Sequence, residues 1–431
     1  MDTDVRIRDP CGSPEVLIIS FSDLPIASPI FVPMPSPTGF GTQRMDATMN
    51  VGVIGAGTMG SGIAQVAAQA GHEVWLFDTR KESVGKAIAA LRKVFDRLVE
   101  KGKLTREQAD ALLARIHPAG DLKELANCGL VIEAIVEDLA VKKKVFTELE
   151  GLVAPDTVLA TNTSSLPVTA IAAACTKPER VIGLHFFNPA PLLPLVEVVP
   201  GLATDPELAE QSVDRMRTWG KVPVVAKDTP GFIVNRVARP FYGEALRIYE
   251  EGLADMATID HAMRSVGGFK MGPFELMDLI GNDVNFTVTR TVFEAFFYDP
   301  RYRPSLTQQR MVEAGRTGRK SGRGYYRYDT EERPAPKDDP ELLEKIWWRI
   351  TVMLINEAAD ALYLRIASRD DLELAMTKGV NYPKGLLAWA DALGIDHCLR
   401  SLALLQDEYG EERYRPSPLL RNMVKDGGSF H

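Results

Sequence analysis

The fold of this chain is indicated most clearly by Val51-Gly52-Val53-Ile54-Gly55-Ala56-Gly57-Thr58-Met59-Gly60. The first four residues form a short apolar run, as in a strand that is buried on both faces. The next six have the spacing GxGxxG, and apolar residues at helical spacing follow them. A second strand-like segment ends at Asp78, near the spacing from Gly55 that is expected for a ribose-binding acid. A strand, a glycine-rich turn, a helix and an acid in this order predict a dinucleotide-binding unit.

The glycine-rich turn has the residues that a phosphate-binding loop needs. Gly55 permits a tight turn, Gly57 lets the backbone approach a pyrophosphate, and Gly60 lets the helix pack closely on the strand. The helix begins near Thr58 and Met59, and its first N–H groups are free to bind phosphate oxygens. An ordinary strand–turn–helix is the alternative interpretation, since glycines also mark plain turns.

The acid at the end of the second strand bears on the choice of cofactor. The Asp78 carboxylate can accept hydrogen bonds from two ribose hydroxyls and repels a 2′-phosphate, so it favours NAD. Arg80 and Lys81 follow closely, and their charges are able to neutralise such a phosphate. We therefore expect NAD, with NADP as the less favoured alternative.

Strand-like and helical segments alternate as far as residue 227. Beyond Val51–Ile54 and Glu73–Phe77, strands are predicted at Leu130–Ile135, Val158–Thr161, Val181–Phe186, Val196–Val199 and Val222–Val225. This alternation predicts an α/β, Rossmann-type domain with a doubly wound, mostly parallel sheet over residues 49–227. The later pattern is helical and predicts an all-α domain at 228–330, a charged linker at 331–340 and a second helical unit at 341–431.

The two helical parts match each other at one constant offset, the step from Glu244 to Glu357. The matched positions are Glu244-Ala245 with Glu357-Ala358, Ala262-Met263 with Ala375-Met376, Gly272 with Gly385, Asp278 with Asp391, Gly281 with Gly394 and Asp283 with Asp396. A constant offset is harder to produce by chance than scattered matches. We therefore expect residues 341–431 to be a second, shorter copy of the helical unit.

Length, charge and cysteine use exclude several classes of protein. The chain has 431 residues, a net charge of −8 and a pI of about 5.5. This length predicts more than one domain, and the acidic balance argues against broad binding to nucleic acid or to an anionic membrane. The cysteines are scattered without CxxC or Cys/His clusters, and no apolar run is long enough to span a bilayer. We expect no metal site and a cytoplasmic protein.

Residues 1–48 differ in composition from the rest of the chain. They are rich in Pro, Ser and Thr and have no helical or alternating periodicity, so we predict a disordered tail. An upstream start codon chosen in error would explain this tail, because Met45 and Met49 both lie just before the first strand. A targeting tail is the alternative, although the acidic start with Asp2 and Asp4 fits a transit peptide poorly.

Further stretches occur together with the glycine-rich turn: Asn162-Thr163-Ser164-Ser165-Leu166-Pro167, Gly183-Leu184-His185-Phe186-Phe187-Asn188-Pro189 and Asp228-Thr229-Pro230-Gly231-Phe232-Ile233-Val234-Asn235-Arg236. With them, the chain strongly resembles the 3-hydroxyacyl-CoA dehydrogenases from about Met49 to about Tyr328. The resemblance implies NAD-dependent oxidation of an (S)-3-hydroxyacyl-CoA to the 3-oxoacyl-CoA. The additional helical unit is similar to that of bacterial members that act in phenylacetate and short-chain acyl-CoA breakdown.

His185 and Glu197 suit this chemistry on their own terms. Oxidation of a secondary alcohol needs a base for the hydroxyl proton, and histidine is the side chain best suited to this near neutral pH. His185 ends an apolar strand, where such sheets open onto a ligand crevice, and Glu197 lies on the next strand-like segment. By resemblance they are the catalytic base and its orienting partner. A core histidine and an exposed strand residue are the alternatives.

The resemblance also assigns three residues around the reacting atoms. Ser164 matches the family serine that contacts the substrate hydroxyl and lies beside the cofactor. Asn188 and Asn235 match asparagines near the nicotinamide and the substrate oxygens. Neutral amides can bind a carbonyl and an alcohol alike, as both redox states require. Turn or helix-cap chemistry is the alternative for the asparagines.

Charged residues are assigned in the same way. Lys101 matches a family lysine that faces CoA, and the positions that match near the dinucleotide are Glu137, Lys142 and Lys320. Lys320 lies in a basic glycine loop, which suits an approach to phosphates. A solvated surface position is the alternative for Lys101 and Lys320.

The second helical unit departs from the pattern of the first. Trp348 stands where the first unit has Asn235, and no glycine-rich loop or catalytic histidine precedes it, so we expect no second active site. Because the helical domain is a usual dimer contact in this family, the second unit either covers that surface within one chain or extends a homodimer. Alternative functions are oxidation of a hydroxy acid without CoA and dinucleotide binding without catalysis.

Overall fold

The computed structural model describes residues 48–330 and 334–431. All but the last residue of the predicted disordered tail, including Cys11 and Met45, lies outside the described residues, as does part of the predicted linker. Within the described ranges, no helix combines the length and the apolar character that a membrane span requires.

The first part of the chain forms one eight-stranded sheet. The strands are β1 (Asn50–Ile54), β2 (Glu73–Phe77), β3 (Ile116–Ala119), β4 (Leu130–Glu133), β5 (Val158–Thr161), β6 (Val181–Phe186), β7 (Leu195–Pro200) and β8 (Val222–Val225). Their order is β3-β2-β1-β4-β5-β6-β7-β8, and all neighbouring pairs are parallel except β6 with β7. This confirms the predicted Rossmann-type sheet, although the sequence pattern did not predict β3.

Helices cover both faces of this sheet, which is why its central strands are apolar along their length. The helices are α1 (Thr58–Gln69), α2 (Lys81–Glu100), α3 (Arg106–Ala114), α4 (Leu139–Glu150), α5 (Val168–Ala172) and α6 (Pro206–Thr218). Leu130 and Ile132 of β4 belong to an apolar cluster that contains Phe95, whereas Val131 belongs to a second cluster around Phe146. Alternate residues of one strand thus serve opposite faces.

The described residues that follow the sheet are mainly helical, as predicted. Its helices are α7 (Val234–Val237), α8 (Arg239–Glu250), α9 (Met256–Ser265), α10 (Pro273–Ile280), α11 (Asn282–Ala295), α12 (Leu306–Glu313), α13 (Pro340–Tyr363), α14 (Arg369–Leu374), α15 (Leu386–Leu393), α16 (Ile395–Tyr409) and α17 (Pro418–Asp426). A π-helical turn, Ala375–Gly379, follows α14. Both helical units contribute to one apolar core, for example through Phe241 and Ile350.

The bounds of the helices repeat between the two units. At the offset of the sequence match, the bounds of α10, 273 and 280, correspond to those of α15, 386 and 393. The same step leads from the last residue of α8, Glu250, to that of α13, Tyr363. Gly281 precedes α11 with a φ of 102°, and Gly394 precedes α16 with a φ of 92°. The two units therefore share local geometry at the offset that the sequence shows.

The cysteines within the described ranges, Cys128, Cys175 and Cys398, are buried and free. Burial raises the pKa of Cys128 and of Cys398 to about 12, so these thiols stay protonated at neutral pH. The described residues contain no group of three or more His, Cys, Asp or Glu side chains that could hold a metal ion.

Candidate active site

The glycine-rich loop joins β1 to α1 at the carboxyl edge of the sheet. Gly55 has a φ of +101°, and its N–H donates to the carbonyl oxygen of Phe77 at 2.8 Å. A Cβ on Gly60 would lie 1.7 Å from the carbonyl oxygen of Gly55, and a Cβ on Gly55 would lie 2.5 Å from that of Ala134. Both positions therefore need glycine for the turn and for close packing of α1 on the strand.

Gly57 and the start of α1 leave room for a ligand. A Cβ at Gly57 would meet no atom within 4 Å. Gly57 is the N-cap of α1, which has neither a side-chain cap nor an acidic residue in its first turn. No side chain caps the first N–H groups of α1, which begin with those of Thr58 and Met59, and N–H groups at a helix start can bind anions.

Asp78 follows β2 beside this loop. Its Oδ2 accepts a hydrogen bond from the N–H of Ala56 at 2.9 Å, and its Oδ1 accepts one from the N–H of Arg80 at 2.9 Å. The Asp78 side chain is 12% exposed, whereas that of Arg80 is 70% exposed, with Nε 3.7 Å from Oδ1. The carboxylate is therefore held in place, and each of its oxygens keeps a further lone pair that can accept a hydrogen bond.

His185 and Glu197 form a buried pair at the carboxyl end of β6. They stand directly opposite each other in the antiparallel register of β6 and β7, and His185 Nδ1 lies 2.6 Å from Glu197 Oε2. Because a carboxylate can only accept, Nδ1 is the donor in this contact, and in the neutral imidazole Nε2 then has the free lone pair. The rings of Phe187 and Phe232 pack beside the imidazole, with centroid distances of 4.5 Å and 5.9 Å.

The second oxygen of Glu197 joins the sheet to the helical part. Oε1 accepts hydrogen bonds from the N–H groups of Ile233 at 3.0 Å and Val234 at 2.9 Å, where α7 begins. Asn235 is the next residue of α7, and its Nδ2 donates to the carbonyl oxygen of Ser164 at 3.4 Å. The structure thus connects the four residues that the sequence assigned to catalysis: His185, Glu197, Ser164 and Asn235.

Ser164 lies in the loop after β5, and Glu137 holds this loop. Glu137 Oε1 accepts hydrogen bonds from the hydroxyl of Thr163 at 2.6 Å and from the N–H groups of Ser164 at 2.9 Å and Ser165 at 3.1 Å. Burial alone would raise the pKa of the Glu137 carboxyl. The charge of Lys142 and the hydrogen bonds from the loop outweigh burial and hold that pKa below its usual range.

Lys142 is buried beneath the same loop, with 1% of its side chain exposed. Its Nζ lies 2.6 Å from Glu133 Oε1 and 3.3 Å from Glu137 Oε2. Glu133 is fully buried at the end of β4, and its Oε2 accepts a hydrogen bond from the hydroxyl of Thr161 at 2.8 Å. These contacts connect the ends of β4 and β5 with the loop that carries the candidate serine.

Asn188 is exposed in the loop that follows β6. This loop packs against α1, because a Cβ on Gly62 would lie 3.2 Å from the Cβ of Ala190. The asparagine therefore belongs to the segment that borders the first helix of the glycine-rich motif.

The two candidate surface lysines have no described partner in the sheet. Lys101 follows the last residue of α2 and is exposed. Lys320 Nζ lies 2.7 Å from the carboxylate of Asp283, so its ion pair is within the helical part. Their expected contacts with CoA and with the dinucleotide stay predictions.

Family models match both parts of the chain. The 3-hydroxyacyl-CoA dehydrogenase NAD binding domain matches residues 50–229, and the 3-hydroxyacyl-CoA dehydrogenase C-terminal domain matches residues 231–328 and 346–429. The chain belongs to the 3-hydroxyacyl-CoA dehydrogenase family. This membership confirms the resemblance that the sequence motifs indicated. The chain is therefore an oxidoreductase that acts on a CH–OH group.

Similar 3-hydroxyacyl-CoA dehydrogenases are known from several bacteria. The chain is 43% identical to 3-hydroxyadipyl-CoA dehydrogenase of Escherichia coli (strain K12), in a match that covers 86% of this chain and 96% of that protein. It is 44% identical over 285 residues to 3-hydroxybutyryl-CoA dehydrogenase of Mycobacterium tuberculosis (strain H37Rv), with 66% and 99% covered. The crystal structure of 3-hydroxybutyryl-CoA dehydrogenase from Escherichia coli K12 matches with a TM-score of 0.85 at 41% identity, covering 88% of this chain and 99% of that one.

This 3-hydroxyacyl-CoA dehydrogenase fold places residues around the candidate site that the sequence patterns did not single out. Glu133 forms an ion pair with Lys142. The sequence feature that could have identified Glu133 is an acidic residue within an otherwise apolar strand. Asn162 Oδ1 accepts a hydrogen bond from the N–H of Phe186 at 2.8 Å, which ties the serine loop to the end of β6. Arg236 is buried and ion-paired within a quoted motif, but no local pattern shows its distant partner.

Proposed function

We propose that this chain catalyses the reversible oxidation of an (S)-3-hydroxyacyl-CoA to the 3-oxoacyl-CoA, with NAD as the hydride acceptor. The observation that carries the proposal is the buried contact of 2.6 Å between His185 Nδ1 and Glu197 Oε2. The pair lies at the carboxyl end of β6, and the loop from Gly55 to Gly60 lies at the same edge of the sheet. Ligands of open α/β sheets bind along that edge.

His185 moves the proton in this mechanism. Its Nδ1–H donates to Glu197, so the lone pair of Nε2 accepts the proton of the substrate hydroxyl. The positive charge of the imidazolium forms beside a buried carboxylate, which stabilises it. In the reverse direction Nε2–H returns the proton to the carbonyl oxygen, so the same residue acts as base in oxidation and as acid in reduction.

When bound, NAD would accept the hydride from C3 of the substrate. The C–H and O–H bonds are then both broken, and the alcohol carbon becomes a C=O group. The chain fits this cofactor, because Gly57 faces open space, α1 begins without a cap and the Asp78 carboxylate keeps free lone pairs. We assign the pyrophosphate to the N–H groups at Thr58 and Met59, and the ribose hydroxyls to Asp78. The negative charge of that carboxylate supports NAD over NADP.

Ser164 and Asn235 are the residues proposed to orient the reacting oxygen. The contact of 3.4 Å between Asn235 Nδ2 and the carbonyl oxygen of Ser164 puts them at one junction between the sheet and the helical part. A hydroxyl and an amide can each bind the substrate as alcohol and as ketone. We propose that Glu137 and Lys142 support this loop from below, since their polar atoms are engaged with it or with each other.

The CoA group and the outer end of the site are assigned to exposed groups. Lys101, at the end of α2, is proposed to face the CoA phosphates, and Asn188 is proposed to border the nicotinamide. Lys320 reaches the dinucleotide only if its ion pair with Asp283 exchanges for a phosphate.

We also infer that residues 341–431 are a second copy of the helical unit without an active site of its own. The repeated helix bounds support this, and so do reciprocal buried ion pairs, Arg236 with Glu357 and Arg349 with Glu244, which are related by the same offset. Helix α13 of the second unit packs against α8 and α9 of the first. A homodimer through the helical units is a further proposal, tested by the mass of the protein in solution.

The experiment that tests the proposed function is a steady-state panel of 3-oxoacyl-CoA substrates with NADH and NADPH. The names of the two relatives point to a short acyl chain and to one with a terminal carboxylate, so acetoacetyl-CoA and 3-oxoadipyl-CoA are the first two substrates. Turnover of either thioester with NADH supports the proposal. Turnover of free 3-oxo acids alone, or of none of these compounds, would overturn it.

A further inference from the structure

The carboxylate that orients His185 is itself held by the backbone at the start of the helical part. Glu197 is fully buried, with one oxygen on the imidazole and the other on the N–H groups of Ile233 and Val234. The position of these N–H groups therefore determines where the catalytic pair lies, and Asn235 follows them directly along the chain.

The segment that carries these N–H groups, from Phe232 to Val237, has little local stabilisation at its start. Helix α7 has only four residues, and its N-cap, Ile233, has no side-chain cap. Only Ala238 separates α7 from α8, so a longer helix supports the C-terminal end of α7 but not the N-terminal end that faces Glu197. Just before it, Phe232 has a φ of +47°, a conformation that bulky residues adopt only where the surrounding structure imposes it.

The second helical unit provides that hold. Arg236 of α7 is 1% exposed, and its Nε lies 2.7 Å from Glu357 Oε1 while its Nη2 lies 3.2 Å from Asp360 Oδ2, both on α13. The hydroxyl of Tyr302 also donates to Glu357 Oε1, at 2.5 Å. Burial alone would disfavour the charged guanidinium, but the carboxylate of Glu357 outweighs it and raises the pKa of Arg236.

We propose that Glu357 is a positioning residue of the active site, which acts through Arg236 to fix Asn235 and the N–H groups that bind Glu197. This proposal rests on the proposed function. The second helical unit is then part of the catalytic machinery although it holds no catalytic residue. Its Gly379 also lies against the sheet, where a Cβ would come within 2.4 Å of Leu195 on β7.

The repeat offers a matched control for this role. Arg349 is the counterpart of Arg236 at the offset of the repeat, and its Nε lies 2.7 Å from Oε1 of Glu244, the counterpart of Glu357. The hydroxyl of Tyr414 donates to Glu244 at 2.6 Å, as that of Tyr302 does to Glu357. Both residues of this second pair are also buried, but neither lies on α7.

The test compares Glu357→Gln with Glu244→Gln in the full chain, at a temperature where denaturant unfolding shows that both are folded. We expect Glu357→Gln to lower kcat with acetoacetyl-CoA at least about tenfold with little change in the KM for NADH, because small displacements of reacting groups are costly. Glu244→Gln should keep kcat within about twofold of the wild type, since distant sites act independently. Equal losses in both variants would overturn the proposal.

A double-mutant cycle separates positioning from general destabilisation. Because Glu357 is proposed to act partly through Asn235, the effect of Glu357→Gln on kcat should be at least about threefold smaller in an Asn235→Ala background, and the remainder is assigned to the N–H groups that bind Glu197. Fully additive effects would contradict that coupling. Should Glu357→Gln not fold, Asp360→Asn weakens the hold on Arg236 through the contact of 3.2 Å, and an unchanged kcat in that variant overturns the proposal. A wild type that is inactive with both acetoacetyl-CoA and 3-oxoadipyl-CoA would instead refute the proposed function itself.

Discussion

Asp78 Oδ2 accepts a hydrogen bond of 2.9 Å from the backbone N–H of Ala56, and this bond connects the end of β2 to the glycine-rich loop. The same carboxylate is the proposed ligand of the ribose hydroxyls, so we expect one charge to determine both the shape of the loop and the choice of cofactor.

The first prediction concerns Asp78→Asn, which removes this charge and keeps one oxygen acceptor. Because charge-assisted hydrogen bonds are about twice as strong as neutral ones, the ratio of kcat/KM for NADH to that for NADPH should fall at least about tenfold. Steady-state kinetics with both cofactors measure the ratio. An unchanged ratio would mean that Asp78 does not discriminate between them.

The second prediction concerns Glu197→Gln, which removes the carboxylate that selects the tautomer of His185. We expect kcat to fall at least about 10²-fold, while the affinity for NADH persists. The matched control is Glu73→Gln, because Glu73 makes a similar contact of 2.7 Å with His117 at an exposed place on the sheet. Similar losses of kcat in the two variants would contradict the proposed role of Glu197 in orienting His185.

The third prediction separates two glycines of one motif. Gly57→Ala enters open space, so its free energy of unfolding should stay within about 0.5 kcal/mol of the wild type while the KM for NADH rises at least about tenfold. Gly60→Ala places a methyl group on the Gly55 carbonyl oxygen and should lower the free energy of unfolding by about 1–3 kcal/mol or more. Denaturant unfolding and NADH kinetics check both, and the reverse pattern would contradict the geometry.

The fourth prediction is a pH dependence of stability that originates in Glu137. Because its pKa is lowered in the folded state, the ionised carboxyl contributes stability above its ordinary pKa, and that contribution is lost as the pH falls through the lowered value. The difference in unfolding free energy between wild type and Glu137→Gln should therefore be largest near neutral pH and shrink below about pH 4.5. Urea titrations at several pH values measure it, and a constant difference would refute the lowered pKa.

Local patterns were enough to predict the sheet but not all of its edge. Because strands such as β4 and β6 are buried on both faces, an apolar run in the sequence predicts them. The missed strand β3 lies at the edge of the sheet and contains His117 and Pro118, which an edge strand tolerates and a central strand does not.

The candidate site divides in the same way. The contact between His185 and Glu197 follows from two adjacent strands, which the sequence motifs suggested. The contacts of Glu137 with the serine loop join residues that are 26 to 28 positions apart in the sequence. The contact of Arg236 with Glu357 joins residues that are 121 positions apart. Nothing in a local pattern identifies such partners, because only the packed fold brings them together.

The proposed function depends above all on His185 carrying the proton during hydride transfer. The decisive experiment determines kcat of His185→Gln with acetoacetyl-CoA and NADH, together with NADH binding followed by fluorescence titration. A general base typically contributes about 10²–10⁴-fold, so we predict a loss of at least that order in kcat with NADH binding retained. Activity within a few-fold of the wild type, in a folded variant that binds NADH, would contradict this role.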